Sequence, residues 1–281
     1  PTARFPAAPR EAKDLSEIAE EVDVFVLDGF GVLNVGEAPV PGAPRRMAAL
    51  REMGKRLIVL TNSATQPSRE TVAKYGKLGM DFALADIVSS RDALAAALAG
   101  RTDRLRWGVA CTPESEISEL AQPAEPLLDD RAAYDRVDGF VLLSGNDWTP
   151  ARQELLIEAL RRRPRPVLCG NPDLVAPRET GLTLEPGFHA HALQDAVGVA
   201  PVFYGKPFAN AFALAAARIP SGTPPERIAM VGDTLHTDIL GGAAQGWRTV
   251  LVRAHGLLKD LDHRALIART GITPDFIVET T

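Results

Sequence analysis

Four short polar motifs in this 281-residue chain carry side chains that are suited to phosphoryl transfer. Asp28 and Asp233 supply carboxylates, Thr61 supplies a hydroxyl and Lys206 supplies an ammonium group. Carboxylates can hold a hard cation such as Mg²⁺, which offsets their repulsion from an anionic phosphate. A hydroxyl and an ammonium can bind the non-bridging oxygens, where charge must be stabilised in the transition state. Asp28 can then attack phosphorus and form an aspartyl-phosphate.

Each motif follows an apolar segment that predicts a strand. The runs at 24–27, 57–60 and 228–231 are continuously apolar, as in strands buried on both faces of a parallel sheet. Amphipathic helices are predicted between the strands, at about 41–53, 67–78, 207–218 and 235–245. This alternation predicts an α/β fold with a three-layer, doubly wound and mostly parallel sheet. Chemistry in such folds collects at the carboxyl ends of the strands, so we expect the motifs to meet there.

A middle region interrupts this pattern and predicts a second α/β domain. It has apolar runs of its own near 107–111, 139–143 and 166–169, and a further strand at 202–204 is expected where the core resumes. We interpret the region as an inserted cap domain because its hydrophobic periodicity is as strong as that of its neighbours. The predicted division is a catalytic core of residues 1–84 plus 200–281 and a substrate-selecting cap of residues 85–199.

The order of the motifs resembles that of the haloacid dehalogenase (HAD) superfamily, over almost the whole chain. Two further segments, Val40-Pro-Gly-Ala and Thr237-Asp-Ile-Leu-Gly-Gly, are similar to the class IIA branch. That branch includes para-nitrophenylphosphatase-type and nucleotide phosphatases and carries a large α/β cap between its second and third motifs. The resemblance implies Mg²⁺-dependent hydrolysis of a phosphate monoester. The matching motifs are Asp28-Gly-Phe-Gly-Val-Leu, Thr61-Asn, Gly-Lys206-Pro and Gly-Asp233-Thr-Leu-His-Thr-Asp238.

The resemblance also implies a role for each matching core residue. Asp28 would be the nucleophile, and Thr61 and Lys206 would bind the phosphate. Asp28, Asp233 and the backbone carbonyl of Phe30 would bind the metal.

Residues around these positions are expected to support the site or contact the substrate. Asn62 would lie beside the substrate, and Asp238 would hold Lys206 or the loop rather than the metal. The segment Gly170-Asn-Pro-Asp173 is similar to a cap segment of class IIA, so Asn171 and Asp173 are expected to face the active site and bind substrate. Packing and turn formation explain the Asn-Pro-Asp segment equally well.

Phe30 departs from the family pattern. Most HAD phosphatases have an aspartate there, two residues after the nucleophile, which acts as general acid and base. A phenyl ring cannot move protons, and such assistance is worth about 10²–10⁴ in rate. His236 is one candidate replacement, and an exposed residue at the start of a helix is the plainer interpretation of it.

Three functions therefore stay open. The first is Mg²⁺-dependent phosphatase activity. The second is cleavage of a phosphonate or a carbon–halogen bond, since superfamily members with those activities lack the aspartate. The third is a weakly active protein that binds a phosphorylated ligand. Dependence on Mg²⁺ would discriminate against carbon–halogen cleavage, which needs no metal to gather a phosphate.

Composition indicates the class of partner and the cellular compartment. Thirty-one basic and 36 acidic residues give a formal charge of −5, which does not favour nucleic acid as a partner. The sequence shows neither a run long enough to span a membrane nor the apolar core of a signal peptide. Cys111 and Cys169 lie in apolar runs and predict free thiols in a reducing compartment. We expect a cytoplasmic protein that binds a small phosphorylated molecule, with a homodimer left open.

Overall fold

The computed structural model describes residues 2–177 and 181–281. Its strands are β1 (Arg10–Ala12), β2 (Val24–Leu27), β3 (Asn34–Val35), β4 (Ala38–Pro39), β5 (Arg56–Thr61), β6 (Ile87–Ser89), β7 (Trp107–Ala110), β8 (Ala124–Pro126), β9 (Gly139–Leu142), β10 (Val167–Cys169), β11 (Val175–Pro177), β12 (Leu182–Leu184), β13 (Val202–Phe203), β14 (Ile228–Gly232), β15 (Arg248–Val252) and β16 (Phe276–Val278). Its α-helices are α1 (Ala43–Glu52), α2 (Ser68–Lys77), α3 (Ser90–Ala99), α4 (Arg131–Arg136), α5 (Pro150–Arg162), α6 (Pro186–Val197), α7 (Ala209–Ala216), α8 (Leu240–Ala244) and α9 (His263–Thr270).

In the described residues the larger sheet has seven strands, in the order β1-β16-β15-β14-β2-β5-β6, and every neighbouring pair is parallel. Because side chains alternate along a strand, the apolar run of β2 is divided between two hydrophobic clusters. Phe25 and Leu27 pack in the cluster that contains α1 and α2, whereas Val24 and Val26 pack in the cluster that contains α7. The predicted three-layer, doubly wound α/β arrangement is therefore confirmed.

A second sheet of five described strands has the order β13-β10-β9-β7-β8 and is also parallel throughout. Phe140 and Leu142 of β9 pack with α5 and α6 on one face. Val141, which lies between them in the chain, packs with Leu94 and Leu98 of α3 on the other face. The central strands β7, β9 and β10 are buried, as β2 is, which explains why their apolar runs are continuous.

The strand pairing differs from the predicted division at both junctions between the sheets. β6 lies within the predicted cap of 85–199 but pairs with β5 in the larger sheet. β13 lies within the predicted core segment 200–281 but pairs with β10 in the smaller sheet. Both are short edge strands, and the partner of such a strand is set by contacts remote in the sequence, which a local apolar pattern does not contain. The functional division into core and cap stays an interpretation.

One predicted helix also differs. The segment at 235–245 is a wide π-turn at Leu235–Ile239, followed by the short helix α8. The amide of Ile239 donates to the Thr234 carbonyl, which is one residue farther back than the partner in an α-helix (3.3 Å). Among residues 2–177 and 181–281, no helix is both long and apolar enough to cross a bilayer.

Candidate active site

The four motifs meet where the direction of the larger sheet's winding reverses. β5 and β6 lie on one side of β2, and β14, β15 and β16 lie on the other. Asp28 directly follows β2, Thr61 ends β5 and Asp233 directly follows β14. Neighbouring parallel strands therefore bring these side chains to one crevice at the carboxyl edge, which is where ligands bind in open α/β sheets.

Glycine at position 31 allows the loop after β2 to approach Asp233. Gly31 has a φ of +74°, and a Cβ atom there would lie 2.6 Å from Oδ2 of Asp233. Any larger residue would therefore be strained and would displace that carboxylate.

Lys206 is a buried cation between two carboxylates. Its Nζ lies 2.7 Å from Oδ1 of Asp28 and 2.7 Å from Oδ1 of Asp238, and the residue is 1% exposed. Burial by itself lowers the pKa of Lys206, but Asp238 and Asp28 raise it more, so the net direction is upward. Burial raises the pKa of Asp28 well above its usual range, Lys206 acts against this, and Asp238 and Asp233 add to it. Lys206 is thus held as an ammonium that can neutralise anionic oxygens beside Asp28.

Asp233 is oriented by two donors. The hydroxyl of Thr234 donates to its Oδ1 (2.7 Å) and the backbone amide of Leu257 donates to its Oδ2 (2.7 Å). Burial and the neighbouring charge of Asp238 raise the pKa of Asp233 to about 6, although these two hydrogen bonds lower it. A bound cation would favour the ionised form of such a carboxylate.

The donor set at the edge of the sheet fits a divalent cation. Carboxylate oxygens of Asp28, Asp233 and Asp238 lie within 4.8 Å of one another. Hard oxygen ligands of this kind suit Mg²⁺ better than softer metals. Oδ1 of Asp238 already accepts from Lys206, and its Oδ2 accepts from the amide of Thr234 (3.2 Å) and the hydroxyl of Thr237 (3.3 Å). Asp238 is therefore placed to support the site, and Asp28 and Asp233 stay the predicted ligands.

Asn62 joins the two sheets. Its Oδ1 accepts from the amide of Lys206 (2.7 Å) and the hydroxyl of Ser90 (3.0 Å). Its Nδ2 donates to the Lys206 carbonyl (3.1 Å) and to Oδ1 of Asp173 (2.8 Å), which lies on the loop after β10. One buried amide thus connects the segment that carries Lys206 to the loop after β10.

Two cavities meet above Asp28. The larger has a volume of about 480 Å³, and the smaller has about 140 Å³. Both are lined by Asp28, Phe30, Asp173 and Ala176. Thr61, Asn62 and Asn171 also line the larger cavity, and Lys206, Asp233 and His236 also line the smaller one.

The predicted cap residues therefore lie with the core residues, as expected from the sequence. Asn171 is buried, its Nδ2 donates to Oε2 of Glu185 (3.1 Å), and its Oδ1 accepts from the amide of Asp173 (2.9 Å). Burial raises the pKa of Asp173 to about 6, and the hydrogen bond from Asn62 acts against this. His236 is exposed at the rim of the smaller cavity.

Sequence reasoning missed several residues that line or support the site. Tyr75 of α2 lines the larger cavity, and its hydroxyl donates to Oδ1 of Asn34 (3.3 Å). Glu185 lines the same cavity. The hydroxyl of Ser90 donates to Oδ1 of Asn62, and the amide of Leu257 donates to Oδ2 of Asp233. A hydroxyl on the inward face of a predicted helix could have marked Tyr75 as a site residue. The role of a backbone amide such as that of Leu257 cannot be predicted from the residue type.

Comparisons with known proteins agree with this geometry. The family described as haloacid dehalogenase-like hydrolase matches residues 25–122, and a second family, described as HAD-hydrolase-like, matches residues 203–280. The glycerol-3-phosphate phosphatase of Homo sapiens is 30% identical over 96% of this chain and 92% of its own length.

Solved structures with the same fold are similar over most of the chain. A possible sugar phosphatase of the HAD superfamily from Cytophaga hutchinsonii has a TM-score of 0.85 at 25% identity, covering 96% of this chain and 98% of that one. The p-nitrophenyl phosphatase of Archaeoglobus fulgidus has a TM-score of 0.76 at 25% identity, covering 92% and 97%. A glycerol phosphate phosphatase of Mycobacterium tuberculosis in complex with magnesium has a TM-score of 0.74 at 26% identity, covering 94% and 76%.

Proposed function

Because the chain belongs to the haloacid dehalogenase-like hydrolases, in their class IIA branch of phosphatases, we propose that Asp28 is the nucleophile of a Mg²⁺-dependent phosphate monoester hydrolase. The substrate is a small phosphorylated metabolite, as the names of the relatives indicate. The observation that carries the assignment of Asp28 is its pairing with Lys206 at 2.7 Å, at the point where the two cavities meet.

Each residue has a distinct task in this reaction. Lys206 and Thr61 bind non-bridging oxygens of the phosphate, and Asp238 keeps Lys206 ionised and in place. Asp28, Asp233 and the Phe30 carbonyl would hold Mg²⁺, which supplies positive charge that reduces repulsion between the carboxylates and the phosphate. Asn171 and Asp173 face the organic part of the substrate from the smaller sheet.

The experiment is phosphate release from a panel of monoesters, with Mg²⁺ or with EDTA. The panel includes glycerol 3-phosphate, dihydroxyacetone phosphate, phosphoglycolate and p-nitrophenyl phosphate, which follow the names of relatives and neighbours. We expect turnover that needs Mg²⁺ and falls by more than about 10⁴-fold in Asp28→Asn, which keeps the shape of the side chain. Metal-independent turnover, or an active Asp28→Asn, would contradict the assignment.

Phe30 favours a second function, that of a slow enzyme that mainly binds its phosphorylated ligand. In that case the wild type would bind phosphate esters without measurable release, and Phe30→Asp would gain activity. Phosphonates and halo-acids in the same panel test the remaining superfamily activities. A cytoplasmic location stays a proposal that is supported by the two free cysteines, and light scattering would test for a homodimer.

A further inference from the structure

The position of Phe30 raises the question of which group moves protons in the reaction. Phe30 lines both cavities, as Asp28 does. A monoester with an alkyl leaving group needs a proton as its bond to phosphorus breaks, and the water that attacks the aspartyl-phosphate must lose one. The replacement must therefore be a titratable group that reaches the junction of the two cavities.

In the part of the chain that the structure describes, three glutamates line the larger cavity, and none of the three is suited to the task. Glu37 is exposed and pairs with Lys74 (3.1 Å). Glu114 is exposed, and a hydrogen bond from Thr112 lowers its pKa, which favours a permanently ionised group. Both carboxylate oxygens of Glu185 already accept hydrogen bonds, from Asn171 (3.1 Å) and Thr183 (3.0 Å).

A lysine, a tyrosine and a histidine are further titratable side chains at the cavities. Nζ of Lys74 is already engaged by Glu37 (3.1 Å) and by the Gly36 carbonyl (3.1 Å). Burial strongly raises the pKa of Tyr75, so its hydroxyl stays protonated at any physiological pH. His236 lines only the smaller cavity and is exposed at its rim.

Asp173 has the position that the others lack. Among residues 2–177 and 181–281, Asp28 and Asp173 are the carboxylates that line both cavities. Its Oδ1 accepts from Nδ2 of Asn62, the residue next to Thr61, which orients the carboxyl group from the core side. Resting on the proposed phosphatase function, we propose that Asp173 is the general acid and base that replaces the carboxylate absent at position 30.

The electrostatic surroundings of Asp173 suit a group that gains and loses a proton near neutrality. Burial raises the pKa of this carboxyl to about 6. The hydrogen bond from Asn62 and the charge of Lys206 lower it, whereas Asp238 and Glu185 raise it. A pKa close to the working pH is the condition under which one group serves efficiently as both acid and base.

The proton balance closes with this single group. In the first step Asp28 attacks phosphorus, the bond from phosphorus to the ester oxygen breaks, and protonated Asp173 gives its proton to that oxygen. In the second step ionised Asp173 takes a proton from water as the water attacks phosphorus. The bond between phosphorus and Asp28 then breaks, which releases inorganic phosphate and returns both carboxyl groups to their starting forms.

The test is a double-variant cycle of wild type, Asp173→Asn, Phe30→Asp and the combined variant, assayed with Mg²⁺ on glycerol 3-phosphate and p-nitrophenyl phosphate. Asp173→Asn keeps an acceptor for Asn62 and should lower kcat/KM for the alkyl ester by about 10²-fold. The loss should be smaller for p-nitrophenyl phosphate, whose leaving group needs less protonation. Phe30→Asp should restore most of the lost rate in the combined variant, because it supplies a carboxyl group at the junction.

Other results would overturn the inference. If Asp173 only positions Asn62, Asp173→Asn would lose the same factor on both substrates and Phe30→Asp would not rescue it. In the wild type kcat/KM should fall as pH rises through the pKa of Asp173, and retention of this alkaline limb in Asp173→Asn would also contradict the role. Asp195→Asn, at an exposed carboxylate of α6, is the matched control and should stay within about threefold of wild type. A loss in His236→Gln that Phe30→Asp rescues would transfer the role to His236. If wild type releases phosphate and Asp173→Asn does so at the same rate, the role of Asp173 is excluded and the phosphatase function remains. If no variant releases phosphate from any substrate, the phosphatase function itself is excluded.

Discussion

The two parallel sheets have similar interiors but different carboxyl edges. The central strands of both sheets, such as β2 and β9, are apolar and buried on both faces. The edge of the larger sheet carries carboxylates that are 5% exposed or less, such as Asp233 and Asp238, and the buried Lys206 from the loop after β13 pairs with Asp238. The edge of the smaller sheet carries neutral amides and hydroxyls, such as Ser144, Asn146 and Asn171, together with the acidic residues Glu114 and Asp173.

This difference indicates that the two sheet edges have different functions at the cavities between them. Buried charges are costly unless they are paired, so the larger sheet holds them in a compact network that can act on a phosphate. Uncharged amides and hydroxyls cost less to desolvate than charged groups do. They can also donate hydrogen bonds to the hydroxyl groups of a substrate and accept hydrogen bonds from them. We therefore expect substitutions at the edge of the larger sheet to affect chemistry and stability, and those at the smaller sheet to affect substrate choice.

The largest effect is expected for Lys206→Met, which leaves Asp28 and Asp238 buried without their cation. The free energy of unfolding should fall by about 3–5 kcal/mol, as for other buried pairs that lose one partner. Phosphate release should be lost as well. Denaturant titration measures the first effect, and Lys77→Met, at an exposed lysine of α2, is the control. Stability equal to wild type would mean that the ion pair is not formed in solution.

A smaller effect on stability is expected from the metal. Mg²⁺ at about 100 times its dissociation constant should stabilise the wild type by about 2.7 kcal/mol, because it binds only the folded chain. Asp233→Asn should remove most of this gain, measured as the change in Tm on adding Mg²⁺. Asp260→Asn, at an exposed carboxylate, should keep it. An equal Mg²⁺-dependent rise in Tm for Asp233→Asn would exclude Asp233 as a ligand.

Asn146→Ala tests the smaller sheet. Asn146 is exposed and lines the larger cavity. Loss of one hydrogen bond to the substrate should lower kcat/KM by about 2- to 10-fold. The factor should differ between glycerol 3-phosphate and phosphoglycolate and should be smallest for p-nitrophenyl phosphate. An identical factor for all three esters would place the residue in the chemical step and would weaken the comparison.

The smallest effect is expected at a surface contact between α2 and the segment that precedes β8. Arg69 of α2 pairs with Glu116 and with Glu119 (2.9 Å), which precede β8. Exposed ion pairs contribute up to about 1 kcal/mol, so Arg69→Gln should change the free energy of unfolding by less than that. Arg136→Gln, which breaks a pair with Glu125 inside the smaller sheet's region, is the matched control. If KM changed for Arg69→Gln and not for Arg136→Gln, and high salt changed the KM of wild type in the same way, this surface ion pair would affect substrate binding.

The sequence predicted most of the larger sheet's edge. Asp28, Thr61 and Asp233 each follow a short apolar run, and the neighbours in a parallel sheet bring such positions together. The order of the motifs also identified the family. The junctions were not predictable, because β6 and β13 are short edge strands whose partners lie far away in the chain.

Local pattern and motif order thus determined the α/β class, the presence of two sheets and the residues of the core site. Only the tertiary structure decided that Asn62 bonds to Asp173, that Leu257 orients Asp233 and that Tyr75 lines the cavity. It also decided that Asp173 stands at the junction with Phe30. These contacts join residues that are remote in sequence, and their energies depend on burial and exact distance, which neither composition nor periodicity records.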